Sequence, residues 1–222
     1  MSSGIITRNG KHKRTFRRMY ETLYKAFGPQ NWWPGETPFE VAVGAILTQN
    51  TNWGNVEKAI ANLKKAKALN PSAISGMPHD NLAELIRPSG YFNIKARRLR
   101  HFTDFLIGQY GGSMKRLAKE NADVLRQKLL GINGIGPETA DSILLYAANK
   151  PVFVIDAYTK RVLSRHGVAP GLGGYDDYQG LFHHALPPDE ALYNEYHALF
   201  VMLGKHYCKP KPACGGCPLG GK

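Results

Sequence analysis

The residues of this 222-residue chain best equipped for chemistry are a pair of glycines, one isolated acid and three thiols. Gly134 and Gly136 separate two apolar patterns of helical spacing, Leu125, Leu129 and Leu130 before them and Ile143, Leu144 and Ala147 after them. Glycine admits positive φ and has no side chain, so the backbone there can approach a bulky anion, with the N–H groups that open the next helix pointing at it. An ordinary helix–helix turn carries the same glycines, and the spacing alone does not separate the two readings. Twenty residues past Gly136, Asp156 ends the apolar run Val152-Phe153-Val154-Ile155, where it can N-cap a helix over 157–165. Cys208, Cys214 and Cys217 crowd the last fifteen residues, a distribution that suits metal ligation better than a disulfide framework.

The anion has a natural identity. Lys and Arg outnumber Asp and Glu by 29 to 17, a formal charge of +12, and such a field attracts polyanions in a salt-sensitive way. Nucleic acid is therefore the expected partner, its phosphate held without reading any base. No run approaches the roughly eighteen apolar residues of a membrane span, and the N-terminus lacks the apolar core of a signal peptide, so the expected location is intracellular, in cytoplasm or nucleoid, with no membrane partner.

The elements that must position these groups read as helices almost throughout. Phe16, Met19, Tyr20, Leu23 and Phe27 form one stripe; Val56, Ile60 and Leu63, then Leu82, Leu85 and Ile86, then Leu99, Phe102, Phe105 and Leu106 form others. Thr37-Pro38-Phe39-Glu40 combines an N-cap, a first-turn proline and a reciprocal glutamate, and Asn70-Pro71 repeats the cap and proline. Without strand alternation or internal repeats, the spacing predicts an all-α fold of roughly ten short helices. Residues 1–14, basic and polar, are expected to form a flexible tail. Lys95, Arg97, Arg98 and Arg100 mark a basic stretch that either tracks a nucleic-acid backbone or is a solvated helix face.

Gly134-Ile135-Gly136-x-x-Thr139-Ala140, followed by Val154-Ile155-Asp156 and Arg161-Val162, resembles the helix-hairpin-helix motif and its acid in the endonuclease III superfamily of DNA glycosylases. "TPFEVAVGAILTQNTNW" is similar to that family's first conserved helix and DNA-wedge loop, and "GYFNIKARRL" to its middle helix. The resemblance runs from about Phe16 onward. It implies two helical lobes flanking a DNA-binding cleft: residues 15–35 with 150–222, and 36–149, the second carrying the hairpin at about 123–148. It implies a monomer that binds double-stranded DNA and extrudes a damaged base. Asp156 matches the family's catalytic aspartate, whose charge stabilises an electron-poor sugar and orients or deprotonates a water. Gly134, Ile135, Gly136 and Thr139 fall in the DNA-gripping hairpin, and Gln49 and Asn50 in the loop that fills the gap left by the base, with Asn50 at the wedge position.

Glu138 stands where bifunctional members carry a lysine that forms a Schiff base, so the resemblance implies base release by water without AP-lyase activity. As a first-turn acid, Glu138 also favours the helix dipole. "WWP" followed by "LTQNTNW" resembles the branch that removes 3-methyladenine, in which aromatic rings sandwich the flipped base. Trp32, Trp33 and Trp53, the only tryptophans, are then the base pocket, their faces suited to a cationic purine. Ala45 stands where the adenine-mismatch branch has a glutamate, in keeping with a base that leaves without general-acid help. The cysteines approximate the family's [4Fe-4S] loop with a first gap one residue shorter, and the fourth thiolate of that pattern would fall just past Lys222. A cluster is expected, its fourth ligand lying outside the sequence or supplied from elsewhere. Alternatives of the same fold are a uracil or thymine mismatch glycosylase, and a non-catalytic module that binds DNA structure.

Overall fold

In the computed structural model the first helix, α1 (Ser3–Phe27), buries Phe16, Met19 and Leu23 along the stripe predicted for it. The structure describes residues 3–32, 35–169 and 173–220, with side chains from His12 onward in the first stretch. Residues 3–14 are thus helical rather than a flexible tail. No proline precedes Pro29, and Gly4 and Gly10 cost a helix about 1 kcal/mol each at most, too little to stop one already nucleated by a packed stripe.

The remaining helices are α2 (Pro38–Leu47), α3 (Trp53–Lys65), α4 (Pro71–Gly76), α5 (His79–Leu85), α6 (Phe92–Tyr110), α7 (Met114–Leu117), α8 (Ala122–Leu130), α9 (Pro137–Ser142), α10 (Ala157–Arg165), α11 (Tyr175–Ala185) and α12 (Glu190–His206). A π-helical turn, Ile143–Ala147, continues α9. Among the described residues there is no strand, and no helix is long and apolar enough to cross a membrane. The fold is all-α, as the periodicity indicates.

Capping explains several of the boundaries. Thr37 Oγ1 accepts the Glu40 N–H at 3.1 Å, while the Glu40 carboxylate takes the N–H of Glu36, one residue earlier than a capping box requires. Asn70 and Asn52 cap α4 and α3 through Ala73 N and Asn55 N.

The chain divides into two compact units, residues 1–32 with 151–222, and residues 33–150. In the first, α1 packs on α11 and α12, and α10 on α12. Its core is aromatic: Phe153 and Phe182 stack at 3.7 Å between ring centroids, with Tyr196 and Phe200 edge-on to Phe182 and Phe16 beside it. Each fully buried phenylalanine contributes about 1.5–3 kcal/mol. In the second unit α2, buried along nearly its whole length, lies against α6 and the π turn, while α4 and α5 pack on α6.

Candidate active site

Asp156 ends a non-helical run, residues 151–156, has extended backbone (φ −98°, ψ 179°) and is the N-cap of α10. Its Oδ1 accepts the Thr159 N–H at 2.7 Å, so the capping role is real. Oδ2 lies 3.6 Å from Nε2 of His197, a buried residue of α12, and the Asp156 side chain is only 12% exposed. Burial pushes its carboxyl pKa up, but the pull of His197 and the Thr159 N–H outweighs it and holds the group below the ordinary 3.8. The site therefore presents a fixed, ionised carboxylate at neutral pH. Nothing local to His197 marks it in the sequence, because it stands in the apolar run Tyr196 to Val201 and reads as core.

The hairpin joins α8 to α9 within the other unit. Gly134 has φ +91°, and a Cβ there would lie 2.7 Å from Arg98 Nε. Gly136 keeps an ordinary φ of −91° as N-cap of α9, with nothing within 4 Å of the place a Cβ would take, so only the first of the two glycines needs left-handed backbone. Ile135 N–H bonds to Ile132 O at 3.0 Å, and the Ile135 side chain is buried. Arg126 on α8 pairs with fully buried Asp141 on α9 through Nε–Oδ1 at 2.7 Å and Nη2–Oδ2 at 3.2 Å, fixing the two helices.

Gln49 is tied to this hairpin. Its Nε2 donates to Gly134 O at 3.1 Å and to Thr139 Oγ1 at 2.8 Å, and Arg98 Nη1 donates to its Oε1. Thr139 is itself buried, its hydroxyl turned to Gln49. The next residue, Asn50, is exposed and has φ +54°. The loop thus has one amide held inward and one presented to solvent. Tyr91, 66% exposed and at φ +47°, is a second outward group that periodicity did not single out.

Lys95 corrects the reading of the basic stretch. It is 1% exposed and donates to Leu47 O at 2.8 Å and Ser89 O at 2.7 Å, at the ends of α2 and of the turn before α6. Burial, with a smaller push from Arg98, lowers its pKa to about 8. Arg100 donates to Met77 O, and Arg97 alone of the four is exposed.

Trp32 belongs to the unit of Asp156, with the Lys205 ammonium 5.4 Å from its ring centroid, whereas Trp53 opens α3 in the other unit and donates from Nε1 to Glu57 at 3.0 Å. Trp33 lies outside the described residues.

The cysteines do not assemble a metal centre. Cys208 is buried, Cys217 half-buried and Cys214 exposed, and among the described residues no three His, Cys, Asp or Glu side chains converge as ligands. A [4Fe-4S] centre of this family takes four thiolates, the sequence holds three, and the buried one receives Arg165 Nη1 at 3.4 Å. Three of the four thiolates are thus present, and among the described residues they do not converge. The loop is tied to α10 by Arg161 Nε on Cys208 O at 2.5 Å and Arg165 on Lys209 O and Pro210 O at 2.6 and 2.9 Å.

The family of HhH-GPD superfamily base excision DNA repair proteins matches residues 43–187. A candidate DNA repair glycosylase of Methanocaldococcus jannaschii is 50% identical over 204 residues, 91% of this chain and 92% of that protein. The structure of the H. pylori 3-methyladenine DNA glycosylase bound to 1,N6-ethenoadenine matches with a TM-score of 0.72 at 30% identity, over 89% of this chain and 97% of that one. A trapped endonuclease III–DNA covalent intermediate gives 0.80 at 23% identity over 93% of each chain, a likeness of fold alone. The chain belongs to the HhH-GPD superfamily of base excision DNA repair proteins. Within it, the protein is a DNA glycosylase.

Proposed function

We propose that this glycosylase releases alkylated purines of the 3-methyladenine type from duplex DNA by water attack, acting as a monomer and leaving an abasic site in an uncut backbone. The observation that carries the reading is the ionised Asp156 carboxylate, with one oxygen fixed by a backbone amide and the other beside His197. As the C1′–N bond breaks, its electron pair leaves with the base and positive charge develops on the sugar. A fixed carboxylate stabilises that charge, and a water it orients bonds to C1′ and passes its proton to that carboxylate. A base that is cationic before cleavage departs neutral and needs no strong acid.

Substrate class rests on the 30% identity to the H. pylori 3-methyladenine glycosylase and on the tryptophans. Trp32 is the proposed wall of the base pocket. The Lys205 ammonium lies 5.4 Å from the Trp32 ring centroid, which speaks for a ring that attracts positive charge. Asn50 is the residue proposed to enter the duplex, and the backbone of Gly134, Ile135 and Gly136 the phosphate grip, with Gln49 and Thr139 holding loop and hairpin in register.

Hydrolysis without strand cleavage follows from Glu138, which stands where bifunctional relatives have a Schiff-base lysine and cannot form one. Lys95 is no substitute, because its amine is spent on two carbonyls away from solvent. Incubation with duplexes carrying 3-methyladenine, uracil or thymine mismatches, with and without alkali, tests this. Release of the methylated base with breaks only after alkali is expected. Borohydride trapping of wild-type protein on DNA would overturn the monofunctional reading, and release from the mismatch duplexes alone would overturn the substrate.

A further inference from the structure

The extended run that delivers Asp156 poses a problem of its own. Val152, Phe153, Val154 and Ile155 are buried in a fold with no strand among its described residues, so no sheet neighbour takes up their backbone groups. Helix α11 meets them instead, through three side chains one turn apart. Tyr175 Oη accepts the Ile155 N–H at 3.1 Å, Gln179 Nε2 donates to the Phe153 carbonyl at 2.7 Å, and His183 Nε2 accepts the Phe153 N–H at 3.0 Å.

Residues i, i+4 and i+8 share one helix face. Four residues of helix advance about 6 Å, so the face offers a polar group at each step, with Tyr175 reaching Ile155 and both Gln179 and His183 reaching Phe153. The helix therefore does with side chains what a neighbouring strand does with its backbone. The ring of His183 can accept at Nε2 only as the neutral form protonated at Nδ1, and Tyr193 stacks on it at 5.7 Å with 9° between planes, fixing its orientation. Lys160 of α10 lies 5.7 Å from the centroid of the Tyr175 ring, linking the same helix face to the first turn that Asp156 caps.

We propose that Tyr175, Gln179 and His183 are positioning residues that set the depth and direction of the Asp156 carboxylate. Ile155 N–H is one residue from Asp156, so release of the run at Tyr175 displaces the carboxylate directly, and release at Gln179 or His183 does so through Phe153. The proposal rests on Asp156 being the catalytic carboxylate. Its consequence is specific: loss of these bonds slows the chemical step without weakening the grip on DNA.

The test compares Tyr175→Phe, Gln179→Leu, His183→Leu and His183→Gln, whose amide oxygen can still accept from Phe153. Two readouts are taken: single-turnover release of 3-methyladenine alongside Kd for abasic-site duplex, and hydrogen exchange at Phe153 and Ile155 in the DNA-free protein. Release is expected to fall roughly tenfold to hundredfold in the first three variants, with His183→Gln near wild type. Kd is expected to stay within about twofold throughout, so that the rate rather than binding carries the loss. Exchange at Ile155 is expected to quicken in Tyr175→Phe, and at Phe153 in His183→Leu but not His183→Gln. Unchanged exchange, equal losses of rate and binding, or His183→Gln as impaired as His183→Leu would each overturn the proposal. If wild-type protein releases no base at all, the catalytic reading of Asp156 fails, while the exchange data still decide whether α11 holds the run.

Discussion

Two short non-helical connections carry the proposed chemistry, and they are held in opposite ways. The hairpin, residues 131–136, is closed largely by its own backbone, with Ile132 N–H on Leu129 O and Ile135 N–H on Ile132 O, and is buttressed by Gln49. The run 151–156 is held by side chains of a helix twenty to thirty residues further along, and by burial of Phe153. A connection that is to present its backbone to another molecule gains from local closure, which needs glycine. A connection that is to present one carboxylate gains from a surrounding core, which needs bulk.

Substitutions that exchange these strategies should expose the difference. Phe153→Ala removes a fully buried ring stacked on Phe182 and should cost about 3–5 kcal/mol in denaturant unfolding. A cost under 1 kcal/mol would mean the acid-bearing run does not depend on the core. Gly134→Ala puts a Cβ at φ +91° against the Arg98 side chain and should cost about 1–3 kcal/mol. It should also weaken binding to undamaged duplex, whereas Phe153→Ala, where it folds, should spare that binding.

A smaller effect concerns Lys95, which fixes the end of α2 ahead of the Gln49–Asn50 loop. Its pKa is about 8 in the folded protein against an ordinary 10.5, so between these values the unfolded chain holds the extra proton and stability rises with pH. Measured against Lys95→Met, wild-type stability should climb from pH 8 to 10.5 and be flat below 8. A difference that is level or falling across that window would contradict the burial argument.

Much of the fold was legible because helices announce themselves locally. Phe16, Met19 and Leu23 share a face by spacing alone, and Thr37, Asn70 and Asp156 are recognisable caps. The hairpin was legible through its glycines, although only Gly134 uses positive φ. What escaped notice was held by residues distant in sequence. Lys95 looked like one cation among four, and its burial depends on carbonyls at Leu47 and Ser89. Gln49 looked like any loop amide until Gly134 and Thr139 were brought beside it. His197, Tyr175, Gln179 and His183 carry no motif, since a helix that serves an extended run need only repeat polar groups every fourth residue. The thiol pattern is legible only as spacing, because spacing counts candidate ligands while convergence depends on how the loop folds, and arginines of α10 hold that loop.

The central claim is that the Asp156 charge, and not its capping bond, drives base release. Asparagine caps a helix as well as aspartate does, so Asp156→Asn keeps the bond to the Thr159 N–H and removes only the charge. Single-turnover release of 3-methyladenine should fall by about 10²–10³-fold, with Tm slightly lowered by loss of the attraction to His197 and affinity for abasic-site duplex unchanged. Release within about tenfold of wild type would contradict the account.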